Sequence, residues 1–227
     1  MMKRNNFPFS AVLGLNHAKT AILIVLVNPR AGGLLISGPR GIGKSTLMRS
    51  TQELIERPWR DIPVSVTEDR LFGTIDTEKA IYSGQKKLYP GIINEADQGV
   101  LYLDDANLLR EDLLDSILNI AEVGAYQLER DGLSLRCDTS FTVIAAINPE
   151  SGMLSGACLD QFGLFVNVDN IHDENTRVEI LKRTISFEKD CASFCKLWKL
   201  ENEKIKKAIH SAMSLLPKVV VSSAMIQ

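Results

Sequence analysis

Leu34-Leu-Ile-Ser37-Gly38-Pro39-Arg40-Gly41-Ile42-Gly43-Lys44-Ser45-Thr46 is the stretch on which the rest of the chain turns. Four residues of strand character, 34–37, run into Gly38–Ser45, which fits G-x-x-x-x-G-K-[ST] in full. Helical character follows from Ser45 to Ile55. Strand, glycine loop and helix in that order are the context in which this pattern cradles phosphate: backbone N–H groups of the loop and the positive end of the helix dipole both face the anion. Lys44 is then placed to reach the β- and γ-phosphates, and the Ser45 hydroxyl to ligate Mg²⁺. A glycine turn that merely precedes a helix would share the spelling without the chemistry.

Phosphate loops of this kind work with a carboxylate at the tip of another core strand. Val100-Leu-Tyr-Leu-Asp104-Asp105-Ala-Asn107 supplies one. Two carboxylates at the end of an apolar run are costly unless paired with a cation. Mg²⁺ beside Asp104 removes that objection, and Asp105 falls where a base or a water-positioning group is needed. The other reading is a solvated strand end whose aspartates cap the helix beginning near Glu111. A third element is Asn148, which closes the apolar run 141–147 and precedes Pro149. It is placed either to hydrogen-bond the attacking water or the γ-phosphate, or simply to form an Asn-Pro turn.

Outward from these motifs, strands and helices alternate. Further strands are expected at 62–66 and 164–168, and a helix through Leu113, Leu114, Ile117, Leu118 and Ala121 with Gly124 as its stop. Continuous apolar strands separated by helices point to a parallel sheet covered on both faces. Residues 126–137 alternate apolar and polar around Asp131-Gly132, an accessory β-hairpin. The charged stretch 67–98 reads as loops with one short helix near 77–81. Beyond Asp169 only helices are expected, over 174–185, 189–200 and 201–216. The chain thus divides into an α/β domain over 1–170 and a small helical lobe over 171–227.

The chain has 227 residues with a net charge of −2, 45% hydrophobic and 24% charged residues, which is the profile of a folded globular protein rather than a disordered one. Nothing in that balance asks for nucleic acid or an anionic membrane as partner. The longest apolar run, 21–27, is too short to span a bilayer, and Pro8, Asn16, His17 and Lys19 interrupt any secretory-signal core. A cytoplasmic location is the expectation. Cys137, Cys158, Cys191 and Cys195 do not form a disulfide framework in a chain this long, and no histidine stands at a convincing metal-site spacing from them.

Seven segments occur in the order seen in one family: FPFSAVLGL, GPRGIGKST, TEDRLFGTIDTEKAI, PGIINEADQGVLYLDDANLL, ERDGLSLR, AAINPESG and LDQFGLFVNV. Over Phe7 to Arg183 the sequence resembles the ATPase subunit (subunit I) of magnesium chelatase, within the AAA+ superfamily. The resemblance implies an AAA+ αβα sandwich with a five-stranded parallel sheet in the order 5-1-4-3-2, an insertion in helix 2 over 67–99, a hairpin over 126–137 ahead of the sensor strand, and a helical lid over 171–227. Family members are longer, their lid continuing to a further arginine that reaches the phosphates; at VVVSSAMIQ that part is missing, or the chain is a fragment. The resemblance also implies ATP and Mg²⁺ as cofactors, a homo-oligomeric ring (a hexamer), active sites shared between neighbours, and chelatase partner subunits that insert Mg²⁺ into protoporphyrin. Residue by residue, the phosphate loop (Gly38, Pro39, Arg40, Gly41, Ile42, Gly43, Lys44, Ser45, Thr46), Asp104 and Asn148 match family positions.

Two positions depart from the family pattern. Asp105 stands where the family has Glu, which draws its carboxylate back by about one bond length; a misplacement near 1 Å can cost on the order of 100-fold in rate. Gln161 stands where the family's LDRFGL motif has an arginine that reaches the neighbour's γ-phosphate, and such fingers contribute roughly 10³- to 10⁵-fold. The sequence therefore supports two functions. One is a ring ATPase driving metal chelation by partner subunits. The other is a nucleotide-binding scaffold or regulatory ring subunit with weak or no hydrolysis, unless Arg40 or Arg177 compensates. A small-molecule kinase would show an arginine-rich lid over an acceptor site, and a helicase a basic patch; neither is present.

Overall fold

The computed structural model describes residues 6–75, 88–130 and 133–220. In chain order the elements are α1 (Asn16–Val27), β1 (Leu34–Ser37), α2 (Lys44–Thr51), β2 (Trp59–Ile62), α3 (Glu68–Phe72), β3 (Gly73–Ile75), β4 (Leu88–Pro90), α4 (Ile92–Glu95), β5 (Val100–Leu103), α5 (Glu111–Val123), β6 (Ala125–Arg130), β7 (Leu133–Asp138), β8 (Thr142–Ile147), α6 (Gly156–Asp160), β9 (Leu164–Asn167), α7 (Glu174–Lys189) and α8 (Cys191–Leu215).

Five of these strands form one parallel sheet in the order β2-β5-β8-β1-β9. Numbered along the chain within that sheet, the order is 2-3-4-1-5, the expected 5-1-4-3-2 read from the opposite edge. The central strands β1, β5 and β8 are buried along their whole length, because both faces of the sheet are covered. One face packs Leu101, Leu103, Val143 and Ala145 against α5, whose Leu113, Leu114, Ile117 and Leu118 make the apolar stripe foreseen from the sequence. Gly124, left-handed at φ 79°, ends that helix. The other face packs Ile36, Tyr102 and Ile144 against α1 and α2.

Several boundaries move. The strand expected at 62–66 lies at Trp59–Ile62, in register with Val100–Leu103. Pro63 follows it and has no N–H to donate to the ladder. Within 67–98, β3 and β4 pair as an antiparallel ribbon rather than running as loop, while the helix expected near 77–81 and the hairpin tip Asp131-Gly132 lie outside the described residues. The hairpin itself is present as β6 and β7, a separate two-stranded sheet. The two helices expected over 189–200 and 201–216 are one, α8, since no glycine or proline interrupts 191–215. Asp173 and Asp190 cap α7 and α8, accepting from the backbone N–H groups of Thr176 and Ser193. α1 was not expected as a helix at all; Ala18, Ala21, Ile22, Val25 and Leu26 form its buried face. No described helix is long and apolar enough to cross a membrane.

Candidate functional site: a phosphate loop, an acidic strand tip and an apolar cleft

Parallel strands deliver their C-terminal ends to one rim of the sheet. Because β8 lies between β1 and β5, the phosphate loop after β1, Asp104 after β5 and Asn148 after β8 leave adjacent strands at that rim. The sequence motifs are brought together by topology, although more than a hundred residues separate the first from the last.

In the loop, Gly41 and Gly43 sit at φ 82° and 92°, conformations that L side chains adopt only with strain. Gly43 turns the chain into α2, whose first residue is Lys44. The Lys44 side chain is buried, and its Nζ donates to the carbonyl oxygens of Gly38 and Pro39 at 2.6 and 2.8 Å. Burial pulls its pKa below the ordinary lysine value, while Asp105, Asp104 and Glu150 oppose that shift and Arg40 adds to it. The ammonium is therefore held by two loop carbonyls, with the carboxylates of Asp105, Asp104 and Glu150 and the cation of Arg40 close enough to act on it.

Ser45 Oγ donates to Asp104 Oδ1 at 3.3 Å. Beside this pair lies the Tyr102 hydroxyl, on the same strand face as Asp104; the residue is 3% exposed and its hydroxyl has no hydrogen-bond partner among the described residues. Burial, and after it the Asp104 carboxylate, push its pKa far above the usual tyrosine range, so it remains a proton donor. A serine hydroxyl, a carboxylate and an unpartnered phenol are hard oxygen groups converging on one point, and they fit Mg²⁺. No described group of three or more His, Cys, Asp and Glu residues could hold a metal by itself; Mg²⁺ usually takes one or two carboxylates and completes its shell with phosphate and water.

Asp105 adopts the left-handed conformation, φ 50° and ψ 48°, which Asp tolerates better than most residues. Asn148 is 2% exposed. Its Oδ1 accepts from the Glu150 N–H at 3.3 Å, and its Nδ2 donates to Ser151 Oγ at 3.2 Å. The Asn-Pro turn is thus formed, at the rim position expected of a sensor residue. Asn107, which the sequence reading passed over, donates from Nδ2 to the carbonyl oxygens of Asn148 and Gly152. It joins the loop after β5 to the loop after β8.

Gln161 lies elsewhere. With Arg30, Glu122 and Asp160 it lines a cavity of about 590 Å³ beside Gly32, Gly33, Thr142 and Gly163, where strands β1, β8 and β9 begin. This is the opposite rim from Lys44. Its Nε2 donates back to Ala157 O at 3.4 Å. Whatever Gln161 meets, it is not the phosphate loop of its own chain.

The sequence reading missed the larger cleft, about 740 Å³, which opens beside the phosphate loop. Val12, Leu13, Ile42, Thr46, Ile171 and Arg177 contribute to its walls. They come from the segment before α1, the loop itself and the beginning of α7 with the residues ahead of it. Its size and largely apolar walls suit a purine ring. Arg183 of α7 ties this cleft together: it donates to Ala11 O at 3.0 Å and its guanidinium lies 4.6 Å from the Trp198 ring centroid. The signal was available in FPFSAVLGL, an apolar stretch ahead of a phosphate loop.

A five-stranded parallel sheet of this order, with the phosphate loop after β1, an acidic tip after β5 and β8 between them, defines a AAA+ nucleotide-binding core. The sequence profile of the AAA domain (dynein-related subfamily) matches residues 33–161. The chain is 34% identical to the magnesium-chelatase 38 kDa subunit of Chlorobaculum tepidum, over 97% of this chain and 67% of that protein. It is 33% identical to the magnesium-chelatase subunit ChlI homolog of Methanocaldococcus jannaschii, over 100% of this chain and 72% of that one. A solved structure of the complex between subunits BchI and BchD of magnesium chelatase, from a single-particle cryo-EM reconstruction, superimposes with a TM-score of 0.69 at 35% identity, covering 95% of this chain and 77% of that one. The chain belongs to the magnesium-chelatase I-subunit family of AAA+ ATPases.

Proposed function

We propose that this chain binds Mg·ATP at the rim formed by Gly38–Thr46, Asp104 and Asn148, and that it does so as a member of a ring that drives metal chelation by partner subunits. The observation that carries the reading is the convergence of Lys44, the Ser45–Asp104 pair and an apolar cleft at one end of the sheet. In this reading the base occupies the cleft beside Ile42 and Ile171, loop N–H groups and Lys44 hold the phosphates, and Ser45 and Asp104 hold the ion. Mg²⁺ bound there neutralises charge on the transferring phosphoryl group. Asp105 orients the attacking water, and Asn148 senses the γ-phosphate.

The position of Gln161 supports an assembly in which each site is completed by a neighbour. A residue at the far rim serves no site in its own chain, but it is free to face the next subunit's nucleotide. Relatives include a BchI subunit solved in complex with BchD, and a partner subunit of that kind is the proposed recipient of the nucleotide signal. The helices beyond Asp169 act in this reading as the lid of an α/β core over 1–170.

A second reading, a nucleotide-binding scaffold with little hydrolysis, is favoured by Asp105 and Gln161 together. Calorimetric titration and steady-state turnover test both. Binding at micromolar to millimolar ATP with slow turnover is expected. Absence of binding at millimolar ATP would sink the proposal, and turnover that ignores both Asp105→Glu and Gln161→Arg would remove the argument for slow hydrolysis.

A further inference from the structure

The Tyr102 phenol is an expensive choice for its position. β5 alternates its faces, so Leu101 and Leu103 enter the core against α5 while Tyr102 and Asp104 share the opposite side. The Tyr102 ring packs in that second core and stacks on Trp59, with centroids 5.9 Å apart and planes tilted by 40°. Phenylalanine would fill the same space. The oxygen adds a buried polar atom with no well-formed hydrogen bond among the described residues, although the Asp104 carboxylate and Ser45 hydroxyl lie close enough to act on it, and buried hydroxyls without well-formed partners are rare because desolvation goes uncompensated. It stands next to the Ser45–Asp104 pair.

We propose that Tyr102 is a positioning residue for the metal of the bound nucleotide, its hydroxyl donating to the Asp104 carboxylate or meeting the ion's water shell once Mg²⁺ is in place. This rests on the Mg-nucleotide reading above. An ionised carboxylate offers about four lone-pair sites. Ser45 occupies one, and a cation displaces or shares it, so a donor from the strand beneath fixes which oxygen faces the ion. Outer partners of this kind typically govern metal affinity by 10- to 100-fold. The same hydroxyl makes no contribution to a metal-free nucleotide, since the base cleft and the loop amides lie on other elements. Asp104 would thus be oriented from below by its own strand.

The test compares ADP binding by calorimetry in EDTA and in MgCl₂, together with Mn²⁺ binding to the ADP-loaded protein read by the electron paramagnetic resonance of free Mn²⁺. In Tyr102→Phe, metal-free ADP affinity is expected to stay at the wild-type value while the Mn²⁺ dissociation constant rises about 10-fold. Trp59→Phe keeps the Tyr102 hydroxyl while it alters the ring stack and removes the indole N–H donation to Asp61, and its Mn²⁺ affinity is expected to match the wild type. Wild-type Mn²⁺ affinity in Tyr102→Phe overturns the inference. So does an equal loss of metal-free and metal-dependent binding, which would mark Tyr102 as packing alone. If the wild-type protein binds ADP in neither condition, the nucleotide reading itself fails, an outcome distinct from failure of the tyrosine's role.

Discussion

The two rims of the central sheet are unlike. At the C-terminal rim, Lys44, Ser45, Asp104 and the apolar cleft meet within one chain, each held by backbone or by buried neighbours. At the N-terminal rim, Gln161 lines a second cavity with Arg30, Glu122 and Asp160, and its amide returns to its own short helix. One rim holds the elements of binding by itself. The other, in the proposed reading, is completed by a neighbouring subunit. Binding and rapid turnover are therefore separable here, and a substitution at either rim should affect them differently.

The largest effect should come from the far rim. Gln161→Arg is expected to raise steady-state ATP turnover of the assembled protein by up to about 10³-fold, the lower range of an arginine finger's contribution, with little change in ATP affinity. A gain in a preparation held below its assembly concentration would break the comparison, since it would mean that residue 161 serves its own chain. Lys44→Ala should do the reverse. Removing one charged donor from the phosphates should lower turnover by about 10²- to 10³-fold and weaken binding as well, measured by calorimetry beside the turnover assay. Asp105→Glu should raise turnover by about 10- to 100-fold without altering affinity. A gain smaller than twofold would mean that the left-handed backbone at 105 sets the carboxylate's position rather than its length.

The smallest expected effect concerns the C-terminal helices α7 and α8. The Thr176 and Ser193 groups, side chain before backbone, hold the Asp173 and Asp190 carboxyls below their usual pKa. A depressed carboxylate pKa gives stability that is present above the unfolded value, near 4, and is lost as pH falls through the folded value. Helical ellipticity should therefore fall first from α7 and α8 below about pH 4, with Asp190→Ala removing part of that acid sensitivity. If hydrogen exchange showed the sheet opening before α7 and α8 on acidification, the caps would not be the sensitive element.

Most of the C-terminal rim was legible because its determinants are local. A glycine loop followed by Lys-Ser needs no tertiary partner to be recognised, and β1, β5 and β8 are buried on both faces, so their apolar runs are unbroken. What stayed hidden depends on packing between distant segments. The ribbon of β3 and β4 joins residues on either side of 76–87, and short polar strands carry little periodicity. α1 begins with Asn16, His17 and Lys19, which mask the apolar face behind them. The cleft is shared among three segments, and none of them reads as a binding element alone. Tyr102 was plain strand in VLYL until its hydroxyl proved to lack a partner. Asn148 was legible only as a pair of alternatives, and the geometry forms the turn, with the side chain bonded to Ser151 and Glu150.

The chain has two tryptophans, and each stands one side chain away from a different part of the site. Trp59 stacks on Tyr102, on the side of the proposed metal site, and Trp198 lies against Arg183, which pairs with Glu179 and donates to Ala11 O at the wall of the proposed base cleft. The molecule is thus equipped with two separate optical probes. In a Trp59→Phe protein, emission should follow the base alone, and adding adenosine should change it. In a Trp198→Phe protein, the signal should wait for the ion. Two emission changes that always rise together, whichever part of Mg·ATP is added, would show that α7 and α8 move as one piece with the acidic strand tip.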